Sequence, residues 1–235
     1  MSKLSVLKKE IIKQEDPIRA KLSLRYFKTG KGQYGEGDVF LGLNNPTQRK
    51  IARQFQDLSL DDAVQLLKSK IHEERQIALF ILIGRYQKGT AEEKKKIFNI
   101  YLKNTKYINN WDLVDLSAPQ IVGDFLLKHP RNMLYKLAKS KKLWEKRIAI
   151  LATFAFIRQN DYSDTLLLAK ILLNDSHGLI HKAVGWMLRE VGKRDVRVEE
   201  EFLFMNHKTM PRTMLRYAIE KFPRKRRLKY LRAGA

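Results

Sequence analysis

Apolar positions recur at helical spacing along nearly the whole chain, and no stretch alternates apolar and polar residues long enough to read as a strand. The amphipathic runs predict helices over 3–28, 46–57, 60–68, 71–88, 91–103, 110–127, 131–138, 143–158, 162–173, 177–191, 195–206, 210–220 and 224–231. Pro46, Pro130, Pro211 and Pro223 each precede such a run, where a first helical turn tolerates proline. Ser59 before Asp61 and Asp62, and Thr90 before Glu92 and Glu93, read as N-caps followed by acidic first turns. Connections between runs are short, which makes neighbouring helices antiparallel pairs.

The more apolar runs start at Arg75, Asp112, Arg147, Lys182 and Arg212, at intervals of 37, 35, 35 and 30 residues. Helix pairs at such a period predict an all-α solenoid of HEAT or armadillo type. An irregular helical bundle is the alternative, and the recurrence over five starts favours the solenoid. The expected organisation is a single domain over 1–235, with an N-terminal helix and Gly-rich loop in 1–45 and repeats in 46–235.

Charge gives that architecture a purpose. The 235 residues carry 47 Lys and Arg against 25 Asp and Glu, a net charge of +22. With 44% apolar residues the chain can still build a core. Such a balance points to a polyanionic partner, nucleic acid first and an acidic membrane surface second. In a solenoid, basic residues at matching repeat positions would line a concave face. The run PRKRRLKYLR at 223–232 reads either as a phosphate-gripping helix or as a solvated basic tail.

Cysteine is absent, which removes disulfides, zinc fingers, iron–sulfur clusters and thiol nucleophiles. The N-terminal residues lack the apolar core of a signal peptide. The longest largely apolar run, Ile148 to Ile157, is too short to span a bilayer, which takes roughly 20 residues. A soluble, cytoplasmic, monomeric protein is expected, without membrane, metal or cofactor.

Three motifs lack their context. Gly30, Gly32 and Gly35 spell G-x-G-x-x-G, but a helix precedes them where a dinucleotide fold needs a strand, so a flexible loop is expected. His177 and His181 are one helical turn apart, yet no third ligand accompanies them. No elbow motif supports a Ser–His–Asp triad.

The segment 109–124, NNWDLVDLSAPQIVGD, differs from its counterparts. It carries Trp111, Asp112 and Asp115 where the others carry basic and aliphatic residues. Trp111 and Asp115 are four apart and share a helix face. Pro119 should disturb the helix by denying a hydrogen bond to the Asp115 carbonyl. Asp112 suits the first turn electrostatically, beneath a cap at Asn109 or Asn110. Asp115 lies deeper, and in a groove built for phosphate an anion needs a reason. That reason is either a specific task or an ion pair with an arginine such as Arg147. Trp186 lies on the same helix face as Lys182, whereas Trp144 reads as core.

Aromatic faces attract cations and a carboxylate stabilises developing positive charge. Glycosidic cleavage passes through an oxocarbenium-like transition state. An N-alkylated purine is itself cationic and leaves readily. Trp, Trp and Asp, without metal or Cys, therefore fit hydrolysis of the N-glycosidic bond of an alkylated base.

At these residues the sequence resembles the bacterial DNA alkylation repair glycosylase family of the AlkD type. The similar segments are RYFKTGKGQYGEGDVFLGL, NNWDLVDLSAP, LWEKRIAILATFAFIR and HKAVGWMLREVGKRD followed by MPRTMLRYAIEKF. The resemblance implies a HEAT-like solenoid whose concave face holds duplex DNA. It implies removal of 3-methyladenine and 7-methylguanine, without flipping of the base, in base excision repair. It assigns Asp115 to the oxocarbenium ion and the water, Trp111 and Trp186 to the sugar and backbone, and Arg147 to a phosphate. By the same resemblance Tyr26 and Asn44 are expected as further DNA contacts, and Lys182, Arg189 and Arg212 are expected as basic ones. The alternative is a non-enzymatic HEAT-repeat module that binds nucleic acid through charge alone.

Overall fold

The computed structural model describes residues 2–232. Among them the chain is all-α, relieved by an isolated bridge between Val39 and Ile71. It divides after Ser117 into two compact units.

The first unit holds α1 (Lys3–Ile12), α2 (Pro17–Tyr26), α3 (Asn45–Gln54), α4 (Leu60–Leu67), α5 (His72–Lys88), α6 (Ala91–Lys103) and α7 (Trp111–Ser117). Helix α5 is its axis: α3, α4, α6 and α7 all pack on it. Every residue from His72 to Ile83 is buried, as a helix surrounded on all sides requires. The caps fall where the sequence places them. Ser59 Oγ accepts from the Asp62 amide at 3.0 Å and Thr90 Oγ1 from the Glu93 amide at 3.3 Å.

The single helix predicted over 3–28 is two. Pro17 cannot donate, and it drives Asp16 into extended backbone (φ −128°, ψ 97°). Asp16 then caps α2, accepting from the Ile18 and Arg19 amides at 3.1 and 3.0 Å. Nearby, Gly42 takes φ +88° and lies so close to Asp16 and Ala20 that a side chain would strike their backbone.

The second unit opens with a π-helical turn, Ala118–Gly123, and continues through α8 (Asp124–Leu126), α9 (Asn132–Ala138), α10 (Leu143–Ala152), α11 (Phe154–Ile157) and α12 (Ser163–Ile171). It ends with α13 (Gly178–Gly192), α14 (Val196–Asn206), α15 (Arg212–Ala218) and α16 (Arg224–Arg232). The π turn replaces the regular helix expected through 110–127. Pro119 lacks the N–H that would bond the Asp115 carbonyl, and wider π bonding absorbs the mismatch. Helix α10 likewise stops short of the predicted 143–158. Thr153 turns its hydroxyl back to the Ile150 carbonyl at 2.7 Å, which interrupts the run. Gly185 lets α13 lie against α15, since a side chain there would strike the Met214 carbonyl.

The five predicted starts fall in α5, α7, α10, α13 and α15. Within the first unit α5 packs on α7; within the second, α10 packs on α13 and α13 on α15. Intervening helices pack beside their sequence neighbours, as α4 and α6 do on α5 and α12 and α14 on α13. That is the contact pattern of a helical-repeat array.

Candidate functional site

Helix α7 carries Trp111 and Asp115, and the first unit holds it from several sides. At its start Asn110 Oδ1 accepts from the Trp111 amide at 2.8 Å. Behind it, Ser117 Oγ donates to the Leu113 carbonyl at 2.5 Å and meets the Tyr101 hydroxyl at 2.9 Å. Burial and the nearby Asp115 carboxylate both hold the Tyr101 phenol well above its ordinary range, so it stays protonated. Asp115 itself is half-buried.

The Trp111 ring belongs to an aromatic cluster. Phe27 stacks on it with centroids 5.6 Å apart, and Tyr26 meets it edge-on at 5.9 Å. Phe27 continues onto Phe40 at 5.0 Å and His72 at 4.9 Å. Tyr26, 64% exposed, therefore stands beside Trp111 at the open edge of this cluster.

Beneath these rings lies a charged network that sequence reasoning missed. His72 is 1% exposed and bridges two carboxylates. Its Nε2 is 2.8 Å from Asp112 Oδ2 and its Nδ1 is 3.2 Å from Asp38 Oδ2. Arg75 donates to Asp38 at 2.8 Å, and Asn110 Nδ2 donates to Asp38 Oδ2 at 3.3 Å. Burial disfavours charge on the imidazole, but Asp112 and Asp38 outweigh it and raise its pKa to about 9. His72 is thus an imidazolium at neutral pH, donating from both nitrogens, and the two cations balance the two carboxylates. Asp112 sits in the first turn of α7 as expected, but its main partner is this histidine rather than the helix dipole alone. Only its distance in sequence, 40 residues from His72, hid the pairing.

In the second unit Trp186 projects half-buried from α13, with its Nε1 donating to Glu190 Oε1 at 3.2 Å. Arg147 on α10 is 4% exposed and donates to the Leu179 carbonyl at 2.6 Å. Lys182 is exposed, its ammonium 5.9 Å from the Tyr217 ring centre, and Arg212 is exposed at the start of α15. Arg189 pairs with Glu220. Back in the first unit, Asn44 is the N-cap of α3, accepting from the Thr47 amide at 2.9 Å, so its carbonyl oxygen is occupied within the fold. His177 is likewise a cap, accepting from the Leu179 amide at 3.1 Å, and His181 Nε2 meets the Asp175 carbonyl at 2.5 Å. Among the described residues no group of three or more His, Cys, Asp or Glu is placed to hold a metal ion. Nor is any described helix long and apolar enough to cross a membrane.

Set against known proteins, the chain is similar in structure to a predicted DNA alkylation repair enzyme from Enterococcus faecalis. The TM-score is 0.69 at 17% identity, covering 90% of this chain and 98% of that one. At that identity the likeness is one of fold. None of the curated proteins compared is significantly similar. The match to a family reaches from Leu7 in α1 to Phe222 before α16, so it takes in every helix described around Trp111, Asp115, Arg147 and Trp186: over residues 7–222 the chain belongs to the DNA alkylation repair enzyme family.

Proposed function

We propose that the protein is a DNA glycosylase that hydrolyses the N-glycosidic bond of cationic alkylated purines, 3-methyladenine and 7-methylguanine, in duplex DNA. The observation that carries this reading is the placement of Trp111 and Asp115 one turn apart on a helix braced from both ends. Membership of the alkylation repair family and the net charge of +22 support it.

In this reading the glycosidic bond breaks towards the base, whose positive charge is neutralised as it leaves. Positive charge passes to C1′ and O4′ of the sugar. Asp115 stabilises that charge and orients the water that attacks C1′, whose surplus proton leaves to solvent. The faces of Trp111 and Trp186 pack against the sugar and add cation–π stabilisation. The lesion stays in the helix rather than entering a pocket. Tyr26, Asn44, Arg147, Lys182, Arg189 and Arg212 contact the DNA. The enzyme acts as a monomer in the cytoplasm on nucleoid DNA, with simple hydrolysis and no strand cleavage, in base excision repair.

The test is chromatographic detection of free base after incubation of 7-methylguanine DNA with pure protein. Release is expected, and Asp115→Asn is expected to abolish or greatly slow it with DNA binding retained. Unchanged release in that variant would remove the role given to Asp115. No release by the wild-type protein from any alkylated substrate would leave a DNA-binding module without chemistry.

A further inference from the structure

We propose that Arg158, Lys193 and Arg194 form a phosphodiester clamp on the second unit, built over the ring of Phe154 and fastened to Trp186 through Glu190. The proposal rests on the DNA-binding half of the function proposed above and not on its chemistry.

Phe154 opens the short helix α11 and is half-buried. One turn later, Arg158 folds its guanidinium over that ring, 4.3 Å from the centre. Arg194 approaches the same ring from the end of α13, at 5.9 Å. A guanidinium lying on an aromatic face keeps its N–H edges pointed outward, in the fork that matches two phosphate oxygens. The Arg158 side chain has no hydrogen-bond or carboxylate partner among the described residues, so that fork is unspent.

Glu190 ties Lys193 and Arg194 to Trp186. It is 6% exposed and accepts from Trp186 Nε1 at 3.2 Å and from Lys193 Nζ at 2.6 Å. Arg194 donates to its backbone carbonyl at 2.9 Å and reaches its carboxylate at 3.5 Å. The carboxylate is held ionised: burial opposes the charge, but Lys193 and the Trp186 N–H outweigh it. Trp186 in turn lies 6.2 Å from Phe154.

Lys193 and Arg194 thus share one carboxylate and Arg158 has none, which leaves an excess of positive charge beside two aromatic faces. The negative end of the α13 dipole accounts for Lys193 and Arg194 at that terminus. It does not account for Arg158, which comes from the end of α11 and lays its guanidinium over Phe154 while remaining exposed. A phosphodiester supplies the missing anion, and it places the strand against Trp186.

Binding of an undamaged duplex, followed by fluorescence anisotropy across a salt series, tests this. Each phosphate contact contributes about 0.9 to the slope of log affinity against log salt. Replacing Arg158 and Arg194 together by Ala is expected to lower that slope by about 1 to 2 and to weaken binding roughly tenfold at moderate salt. Lys139→Ala with Lys141→Ala removes the same charge from exposed positions of the same unit and is expected to change it much less. Phe154→Leu keeps every charge and removes the shelf; a loss of about two- to fivefold is expected from the cation–π contact alone. Inorganic phosphate should compete no better than chloride at equal ionic strength. If it competes specifically, and only with the unsubstituted clamp, the site belongs to free phosphate instead. An arginine double variant that matches the lysine control overturns the clamp, as does a wild-type protein that ignores the duplex. Normal clamp behaviour with no base release would leave the clamp standing and remove only the glycosylase reading.

Discussion

Nε2 of His72 lies 2.8 Å from Oδ2 of Asp112, the residue next to Trp111, and this contact joins the buried start of α5 to the first turn of α7. A carboxylate in the first turn could have faced water. Here a buried imidazolium receives it, and Phe27 stacks on Trp111 while lying tilted against that imidazole. The position of the Trp111 ring therefore depends on a charge lying beneath it.

Replacing His72 by Leu leaves Asp38 and Asp112 without a shared donor. Breaking a buried ionic network by removing one member costs about 3–5 kcal/mol. Urea unfolding should show a loss of that order, and Gln, which keeps a donor, should lose less. A loss below about 1 kcal/mol for Leu would mean that the network does not brace α7.

The same histidine sets a pH window. Its folded pKa, about 9, exceeds the ordinary value of 6.5. Its stabilisation is complete below pH 6.5 and is lost as pH rises through about 9. Melting temperature measured across that range should fall in the wild-type protein, with a shallower fall in His72→Gln. Parallel curves would contradict the bridge.

Glu199 on α14 acts in a lower window. It is 2% exposed, and burial followed by repulsion from Glu200 raises its pKa from 4.5 to about 8. Its folded form holds a proton that the unfolded chain gives up, so stability falls as pH climbs from 4.5 to 8. Glu199→Gln should remove that part of the slope and raise the melting temperature at pH 8. An unchanged profile would show that the carboxyl is solvated.

Gly185→Ala should destabilise the second unit, because its new methyl would strike the Met214 carbonyl where α13 meets α15. Overpacking of this kind costs about 1–3 kcal/mol, measurable by calorimetry. A neutral substitution would mean that the two helices separate easily.

Among the charged residues, Asp115→Asn should slow base release by about 100-fold or more, the scale of losing one group aimed at transition-state charge. Arg147→Ala should slow lesion processing more than Lys229→Ala, whose effect should be confined to salt dependence. Because Arg147 is buried, its variant is to be compared at a temperature where both proteins are folded. Equal effects at Arg147 and Lys229 would count against the phosphate role of Arg147.

The helices were legible because their signals are local. Ser59 and Thr90 cap where they stand, and the starts at Arg75, Asp112, Arg147, Lys182 and Arg212 all fall in helices of the repeat pattern. The breaks at Pro17 and Thr153 were harder, since each lies inside a run whose periodicity continues across it. The network was not legible. His72, Glu73, Glu74, Arg75 and Gln76 form an unbroken polar stretch, yet all five are buried. Their partners stand far away in sequence: Asp38 and Asp112 for the histidine, Lys8 for Glu74, and the Leu41 and Gly42 amides for Glu73.

That polar stretch makes the first unit behave unlike an ordinary array of repeats, in which an end unit can fray while the rest holds. The segment carrying Asp38, Leu41 and Gly42 precedes the repeats, but it satisfies groups in the buried first turn of α5. Loss of that segment would strand Glu73, Arg75 and His72 in an apolar interior. Amide exchange should therefore find residues 38–42, α5 and α7 opening together as one cooperative block, with a shared free energy rather than a gradient from the N-terminus.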